Sequence, residues 1–114
     1  MISITRISKY RVMWQFVMFD LPTETKRQRR DASIFRKRLL QHGFTMWQYS
    51  VYLHHMASDE GARAKAGLLK KLMPAEGFIC ILKITDKQYA DMEVIHGRKV
   101  GKPPNPPGIQ MELF

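Results

Sequence analysis

One acidic residue lies where an apolar segment meets a basic one. Asp20 follows residues 13–19, which are apolar except for Gln15, and precedes Leu21 and Pro22. The apolar run is typical of a central strand covered on both faces, and proline cannot extend it. Asp20 is therefore either a turn residue at a strand end or a ligand for a divalent cation, which would activate water or steady a phosphate.

One carboxylate alone is a poor site for Mg²⁺, which needs near-octahedral oxygen coordination. In a two-fold symmetric dimer, Asp20 of each chain would approach the axis and share one Mg²⁺ ion. We therefore expect Asp20 to be the metal ligand and catalytic residue of a nuclease only in such a dimer.

His54 and His55 are adjacent on a predicted strand, so their rings should point to opposite faces and not bind one metal.

The segment after Asp20 is strongly basic. Its cations begin at the N-terminus of a predicted helix, where the helix dipole is already positive, so they repel one another unless an anion binds. Helix N-termini and arginine forks both favour phosphate oxygens. Asp31 is the only acid within this stretch, whose cations are Lys26, Arg27, Arg29, Arg30, Arg36, Lys37 and Arg38.

We expect five of these cations to contact phosphates, and the alternative is a solvated helix face. The signature of RNA-stacking strands, a Lys or Arg followed by Gly and an aromatic residue, does not occur. The expected contact is therefore with the nucleic-acid backbone rather than with bases, and affinity should fall steeply with salt. The five predicted nucleic-acid-binding residues are Arg27, Arg29, Arg30, Lys37 and Arg38.

The composition of the whole chain favours a polyanionic partner. The 114 residues include 19 Lys and Arg against 10 Asp and Glu, giving a formal net charge of +9. The single cysteine, Cys80, lies in an apolar run, so we expect a buried, unreactive thiol in a reducing compartment. No stretch reaches the roughly 20 apolar residues of a membrane helix, and no signal peptide is evident, so we expect a cytoplasmic protein without a membrane partner.

Local signals predict six main elements in the order strand, helix, strand, strand, helix, strand. The first helix begins at Thr25, which has capping-box spacing to Gln28, or at Thr23, and it ends at Gly43. Residues 44–55 form strand with either a bulge or a tight turn near residues 48–50. Ser58 caps the second helix, and residues 77–84 form the last strand. This order indicates an α+β, ferredoxin-like βαββαβ fold.

The C-terminal part of the chain has a different composition. We assign residues 1–96 to one ferredoxin-like domain, with residues 1–12 as an N-terminal arm, and residues 97–114 to a Pro-rich spacer and an edge strand. Residues 101–108 should be extended, because their prolines prevent helix and sheet. Residues 109–114 alternate apolar and polar like an edge strand, which either pairs with a partner chain in a homodimer or is a frayed tail.

Several short motifs, in this order, resemble one known family. The chain resembles the small CRISPR-associated endoribonucleases, the second of two adaptation proteins, which accompanies the integrase. The detail of the first and last motifs is most similar to members from systems with a single large effector nuclease. The motifs are residues 16–22 (FVMFDLP), Gly43-Phe44, residues 48–52 (QYSVY), Pro74, Gly77 and residues 84–88 (ITDKQ).

The resemblance implies a ferredoxin-like homodimer in which each C-terminal strand packs on the partner's sheet. It also implies that Asp20 is the proposed metal ligand and that the basic residues after it, Arg27 and Arg29, are functional. Tyr52 would be the aromatic residue next to the site. Some members have a basic residue where this chain has Met46, so one phosphate contact is missing here.

Three functions follow from these expectations. In the first, a homodimer bridges two integrase dimers during spacer acquisition and holds the backbone of a DNA duplex, while Asp20 is only structural. In the second, paired Asp20 side chains hold Mg²⁺ in an endonuclease that acts on RNA or DNA. The third is a stand-alone, metal-dependent endoribonuclease of the toxin type, which would need no integrase.

Overall fold

The computed structural model describes residues 13–103. These residues form six strands and three helices, numbered in chain order: β1 (Met13–Asp20), α1 (Lys26–Gln41), β2 (Thr45–Gln48), β3 (Val51–Met56), α2 (Asp59–Leu72), β4 (Phe78–Thr85), α3 (Asp86–Ala90), β5 (Val94–His96) and β6 (Lys99–Gly101).

The first four strands form one antiparallel sheet in the order β2–β3–β1–β4. Val17 lies at its centre, opposite Tyr52 of β3 on one side and Ile81 of β4 on the other. The two long helices, α1 and α2, pack on one face of the sheet: α1 connects β1 to β2 across β3, and α2 connects β3 to β4 across β1. This arrangement confirms the predicted α+β, ferredoxin-like fold, with β1 as a central strand.

Local sequence signals set the helix ends. Thr25 is the N-cap of α1: its side chain accepts a hydrogen bond from Gln28 N, and the Gln28 side chain accepts one from Thr25 N. Thr23, the alternative cap, does not have this role. After the C-cap His42, Gly43 has a φ of +91°, a conformation that disfavours a side chain. Ser58 caps α2 by accepting from Gly61 N.

Residues between β2 and β3 combine both predicted irregularities. Tyr49 and Ser50 form a tight turn, and the pairing register shifts between Met46 and Gln48. Ser50 has a φ of +77°, although it is not a glycine. Its carbonyl oxygen accepts a hydrogen bond from Phe19 N at 3.0 Å, which ties this turn to the end of β1.

The face of the sheet that carries α1 and α2 contains the larger core. Gln15, the one buried polar residue of β1, is fully buried on this face and donates from Nε2 to Ala62 O of α2 at 2.8 Å. This hydrogen bond fixes α2 to the centre of the sheet. The core residues on this face are Val17, Phe19, Phe35, Leu39, Phe44, Tyr52 and Leu69.

The opposite face is covered at only one end. There the short helix α3 places Tyr89 parallel to Trp14, with 3.6 Å between ring centres, and Phe16 and Leu53 complete the cluster. Trp14 Nε1 also donates to Asp86 Oδ1 at 2.6 Å. We call this side of the sheet the helix-free face, because neither α1 nor α2 packs on it.

Strand β4 leaves apolar side chains of the helix-free face uncovered. Phe78 is 65 % exposed, Leu82 is 47 % exposed, and Cys80 between them is also exposed. We call Phe78, Cys80 and Leu82 the apolar patch. The expectation of a buried Cys80 is wrong for the single chain, because β4 is an outer strand and no element within residues 13–103 covers its helix-free face at Cys80.

The last described residues form a separate hairpin of β5 and β6, in which Ile95 lies opposite Val100. The domain boundary that we placed after residue 96 coincides with the turn of this hairpin. Gly101, the first residue of the predicted spacer, is the last residue of β6, and of the spacer's other residues only 102 and 103 are described. The predicted N-terminal arm (1–12) and C-terminal strand (109–114) lie outside the described residues. Across residues 13–103, no helix has the length and apolarity to cross a membrane.

Candidate nucleic-acid interface

Asp20 lies at the exposed end of β1, on the helix-free face beside Phe78. The loop before β4 fixes the backbone here. Gly77 has a φ of +121°, and a Cβ at this position would meet Leu21 Cδ2 and lie 3.3 Å from Asp20 O. The end of β1 therefore passes tightly against this loop, which places the Asp20 backbone at one end of the sheet.

The Asp20 carboxylate has no ion pair within the described part of the chain. The same residues contain no group of three or more His, Cys, Asp or Glu side chains that could hold a metal ion. At this site, residues 13–103 thus supply a single carboxylate group, which does not by itself fit Mg²⁺. A second copy would have to supply the other carboxylate, as the sequence predicts.

Three cations lie on the side of α1 opposite its buried stripe. The stripe consists of Ala32, Phe35 and Leu39. With 3.6 residues per turn, the side chains of Lys26, Arg30 and Lys37 project away from it, and all three are exposed. We call these three residues the outer cations. None of them forms a salt bridge among residues 13–103, and the first turn of α1 contains no acid.

Arg29 and Arg36 lie on the flank of α1 next to the β2–β3 turn. Arg29 Nη1 donates to two loop carbonyls, Thr23 O and Glu24 O, both at 3.0 Å. This guanidinium is therefore held against the loop before α1, although the residue is exposed. Its predicted phosphate contact would have to use the remaining N–H groups.

Arg27 and Arg38 lie on the other flank of α1, toward α2. Arg27 lines a cleft between the start of α1 and the α2–β4 loop, together with Pro74 and Glu76. Gln28 Nε2 donates to Glu76 Oε2 at 3.0 Å across this cleft. The five predicted phosphate-binding residues therefore do not form one surface: only Arg30 and Lys37 share the outer side of the helix.

The fold brings an aromatic residue to the basic helix, which the sequence reasoning missed. The guanidinium carbon of Arg36 lies 4.2 Å from the ring centre of Tyr49 and 5.2 Å from that of Phe19. Arg36 Nη2 also donates to Ser50 Oγ at 3.2 Å. Tyr49 is 13 positions from Arg36 in the chain, so no local spacing rule links them, and only the strand pairing places them together.

Tyr52 and Met46 occupy different environments. Tyr52 is 3 % exposed and packs against Phe19, with 5.6 Å between ring centres. It therefore supports the residue before Asp20 from within the core. Met46 is exposed on β2, the other outer strand, so that edge carries an apolar side chain at this position.

The two adjacent histidines lie on opposite faces, as predicted. His54 lies under Gly43, and burial together with the nearby Lys65 ammonium lowers the pKa of His54 below its usual 6.5. His55 lies on the helix-free face, where its Nε2 is 3.2 Å from Asp86 Oδ1. This pair is at the other end of β1 from Asp20, so neither histidine joins the candidate site.

Comparison with known proteins agrees with this architecture. The family model "CRISPR associated protein Cas2" matches residues 13–92. The chain is 44 % identical over 110 residues to a protein of Flavobacterium psychrophilum, covering 96 % of this chain and 95 % of that protein. It is 43 % identical over 102 residues to one of Parvibaculum lavamentivorans, covering 90 % of this chain and all of that protein. Both relatives are named CRISPR-associated endoribonuclease Cas2.

A protein of Streptococcus mutans with the same name is 38 % identical over 87 residues, covering 76 % of this chain and 80 % of that protein. The matched family region includes Asp20, all of α1 and the β2–β3 turn. These matches confirm the resemblance that the short motifs suggested. The chain belongs to the CRISPR-associated Cas2 family.

Proposed function

We propose that this protein is a homodimeric CRISPR adaptation protein that holds the backbone of duplex DNA and bridges two integrase dimers. The observation that carries this proposal is the set of outer cations, Lys26, Arg30 and Lys37. All three are exposed on one side of α1 and none is ion-paired within residues 13–103. Phosphates would relieve their mutual repulsion and release counterions from the DNA.

The apolar patch supports the homodimer. Phe78, Cys80 and Leu82 are exposed side by side along β4, and in the described sheet β4 pairs only with β1. A second copy packed on this face would remove these side chains from water. The predicted strand at residues 109–114 of the partner would extend the free edge of β4. The same packing would bring the two Asp20 residues closer together.

Salt-dependent binding to duplex DNA tests the role of the outer cations. We expect the double variant Arg30→Ala/Lys37→Ala to reduce the slope of log affinity against log salt by about 2, since each lost phosphate contact removes about 0.9. Lys70→Ala/Lys71→Ala is the matched control, because it removes two exposed charges from α2. Equal effects of the two double variants would show that net charge, and not the outer side of α1, determines binding.

Co-purification with the integrase of the same CRISPR system tests the bridging role. We expect a complex that contains two integrase dimers for each dimer of this protein. A complex would argue against the toxin alternative, which requires no integrase. Separate elution of the two proteins at micromolar concentration, with duplex DNA present, would contradict the bridging role.

A metal-dependent endonuclease is the second candidate function. It is favoured by the exposed, unpaired carboxylate of Asp20 and by the relatives' name, CRISPR-associated endoribonuclease. In a dimer, the two Asp20 carboxylates would hold Mg²⁺. When bound, this ion would polarise the phosphate and activate water. The outer cations would hold the strand on which the ion acts.

Cleavage of labelled single-stranded RNA and duplex DNA with Mg²⁺ tests this activity. We expect Asp20→Asn to abolish cleavage while binding stays within about twofold, because a neutral amide is a weaker metal ligand than a carboxylate. Asp31→Asn is the matched control, since Asp31 is the acid within the basic stretch of α1. If the wild type binds nucleic acid but never cuts it, only the architectural role remains. Cleavage by Asp20→Asn would exclude Asp20 as the metal ligand.

A further inference from the structure

Tyr49 is a large aromatic residue that is left mostly in solvent. It lies in the turn between β2 and β3 and is 75 % exposed. The guanidinium carbon of Arg36 lies over its ring at 4.2 Å from the centre. One face of the ring is therefore covered by a cation, and the high exposure of the residue leaves the opposite face open.

Three contacts fix Arg36 and thereby orient Tyr49. The Arg36 guanidinium lies between the rings of Tyr49 and Phe19, and its Nη2 donates to Ser50 Oγ. Its Nε is buried without a hydrogen-bond partner in the described part of the chain, and the two ring contacts add cation–π attraction to the Ser50 hydrogen bond. A ring held in this way loses little conformational freedom when a flat ligand stacks on it.

The turn that carries Tyr49 lies at the same end of the sheet as Asp20. Phe19 N donates to Ser50 O at 3.0 Å, so the residues next to Tyr49 and Asp20 are hydrogen-bonded to each other. Arg29 lies two helical turns before Arg36 on the same flank of α1. An open aromatic face, two guanidinium groups and the candidate catalytic carboxylate thus share one end of the molecule.

This combination fits an unpaired nucleobase better than a base within a duplex. An unpaired base can stack on an aromatic ring while guanidinium groups contact the flanking phosphates. Bases inside a duplex are already stacked on one another, and only their backbone would reach Arg29 and Arg36. A protein partner would be expected to cover a continuous apolar area, whereas the flank of α1 next to Tyr49 carries two charges.

We propose that Tyr49, supported by Arg36, stacks on an unpaired nucleobase and makes single-stranded nucleic acid a ligand at the Asp20 end of the sheet. This inference rests on the proposed nucleic-acid binding and adds base stacking to its backbone contacts. RNA and DNA both supply the stacking surface, so the sugar does not determine this contact. The duplex contacts of the outer cations are separate from it.

Fluorescence anisotropy with labelled strands tests the stacking. The probes are single-stranded RNA and DNA of about 10 nucleotides, and a dumbbell duplex without free ends. We expect Tyr49→Ala to weaken binding of both single strands by about tenfold and binding of the dumbbell by less than about twofold. Tyr49→Phe retains the ring and should bind like the wild type. Because Tyr49 is exposed, its removal uncovers no core, and circular dichroism of each variant verifies the fold.

The outcomes separate this inference from the proposed function. Unchanged single-strand binding by Tyr49→Ala, or an equal loss for the dumbbell, overturns the stacking while the backbone contacts stand. A loss in Tyr49→Phe as large as in Tyr49→Ala also overturns it, because the hydroxyl would then be the contact. If Tyr49→Ala weakens binding of RNA but not of DNA, the sugar takes part in the contact, and the assignment of the contact to the base alone is overturned. If the wild type binds none of the three probes, the proposed function falls, and the stacking falls with it.

Discussion

Gly43 joins the C-terminus of α1 to the sheet under two constraints. Its φ is +91°, and a Cβ at this position would lie 2.5 Å from His54 Nε2. Because both the backbone and the neighbouring ring disfavour a side chain, we expect Gly43→Ala to lower the free energy of unfolding by about 2 kcal/mol. Urea denaturation followed by circular dichroism measures this change.

Gly67, within α2, is the matched control for that substitution. Its φ is not positive, and a Cβ there would meet nothing within 4 Å. Replacing a helix-interior glycine by alanine removes backbone entropy from the unfolded chain, so Gly67→Ala should stabilise the protein by about 0.5–1 kcal/mol. Destabilisation of the same size by both substitutions would contradict the special role of Gly43.

His54 should make stability depend on pH. Its pKa in the folded protein lies below 6.5 because burial, and then Lys65, disfavour the charged ring. Below about pH 6.5 the unfolded chain therefore binds a proton that the folded chain does not, so stability is retained above this pH and lost as pH falls toward the folded-state value. The urea concentration at the midpoint of unfolding should therefore decrease as the pH is lowered from about 7.5 to about 5.5.

Replacing His54 isolates its part of this pH dependence. His54→Gln should flatten the decrease in the urea midpoint, because the group that titrates is removed. His96→Gln changes an exposed histidine of β5 and serves as the control. A decrease that persists unchanged in His54→Gln would assign the pH dependence to other groups.

At the scale of elements, the capping box of α1 positions the basic residues that follow it. The Thr25 side chain accepts from Gln28 N at 3.1 Å, and its loss would leave an N–H group of the first turn without this partner. We expect Thr25→Ala to reduce the free energy of unfolding by about 1 kcal/mol. Thr23→Ala, two residues earlier, should change it by less than about 0.5 kcal/mol. Equal losses in the two variants, measured by urea denaturation, would contradict the assignment.

The sequence predicted those elements whose signals are local. The Thr25 cap, the Gly43 stop and the Ser58 cap each depend on residues within one helical turn, and the structure confirms all three. Together with the apolar runs, such local signals also predicted the order of the four main strands and the two long helices. Side-chain neighbours across the sheet depend instead on strand register, so Tyr49 and Arg36 could not be paired in advance.

The error at Cys80 has a related cause. A strand that is apolar on both faces is typically covered on both faces, yet β4 lies at the edge of the sheet. Burial of its helix-free face depends on what packs there, and a single chain contains no information about a second copy. The distribution of the basic residues around α1 was, in contrast, available from helical periodicity alone.

At the scale of the whole molecule, the apolar patch should determine the oligomeric state. We expect Leu82→Glu to shift the protein from dimer to monomer in sedimentation velocity, because the patch of two identical chains would bring two carboxylates into an apolar interface. Met46→Glu is the matched control: Met46 is similarly exposed, but lies on the outer strand β2. A dimer that persists in Leu82→Glu would contradict this location of the interface.

The stacked pair of Trp14 and Tyr89 gives the molecule an internal optical reporter. Trp14 is fully buried, and its indole N–H donates a hydrogen bond to Asp86 at the start of α3. Since an indole shielded from water emits at shorter wavelength than a hydrated one, release of α3 should shift the emission to the red before the sheet unfolds. In a Trp47→Phe background, Trp14 is the sole tryptophan, and excitation at the red edge of its absorption avoids the tyrosines. Its spectrum would then show, without any label, whether the segment leading to the β5–β6 hairpin is docked or free.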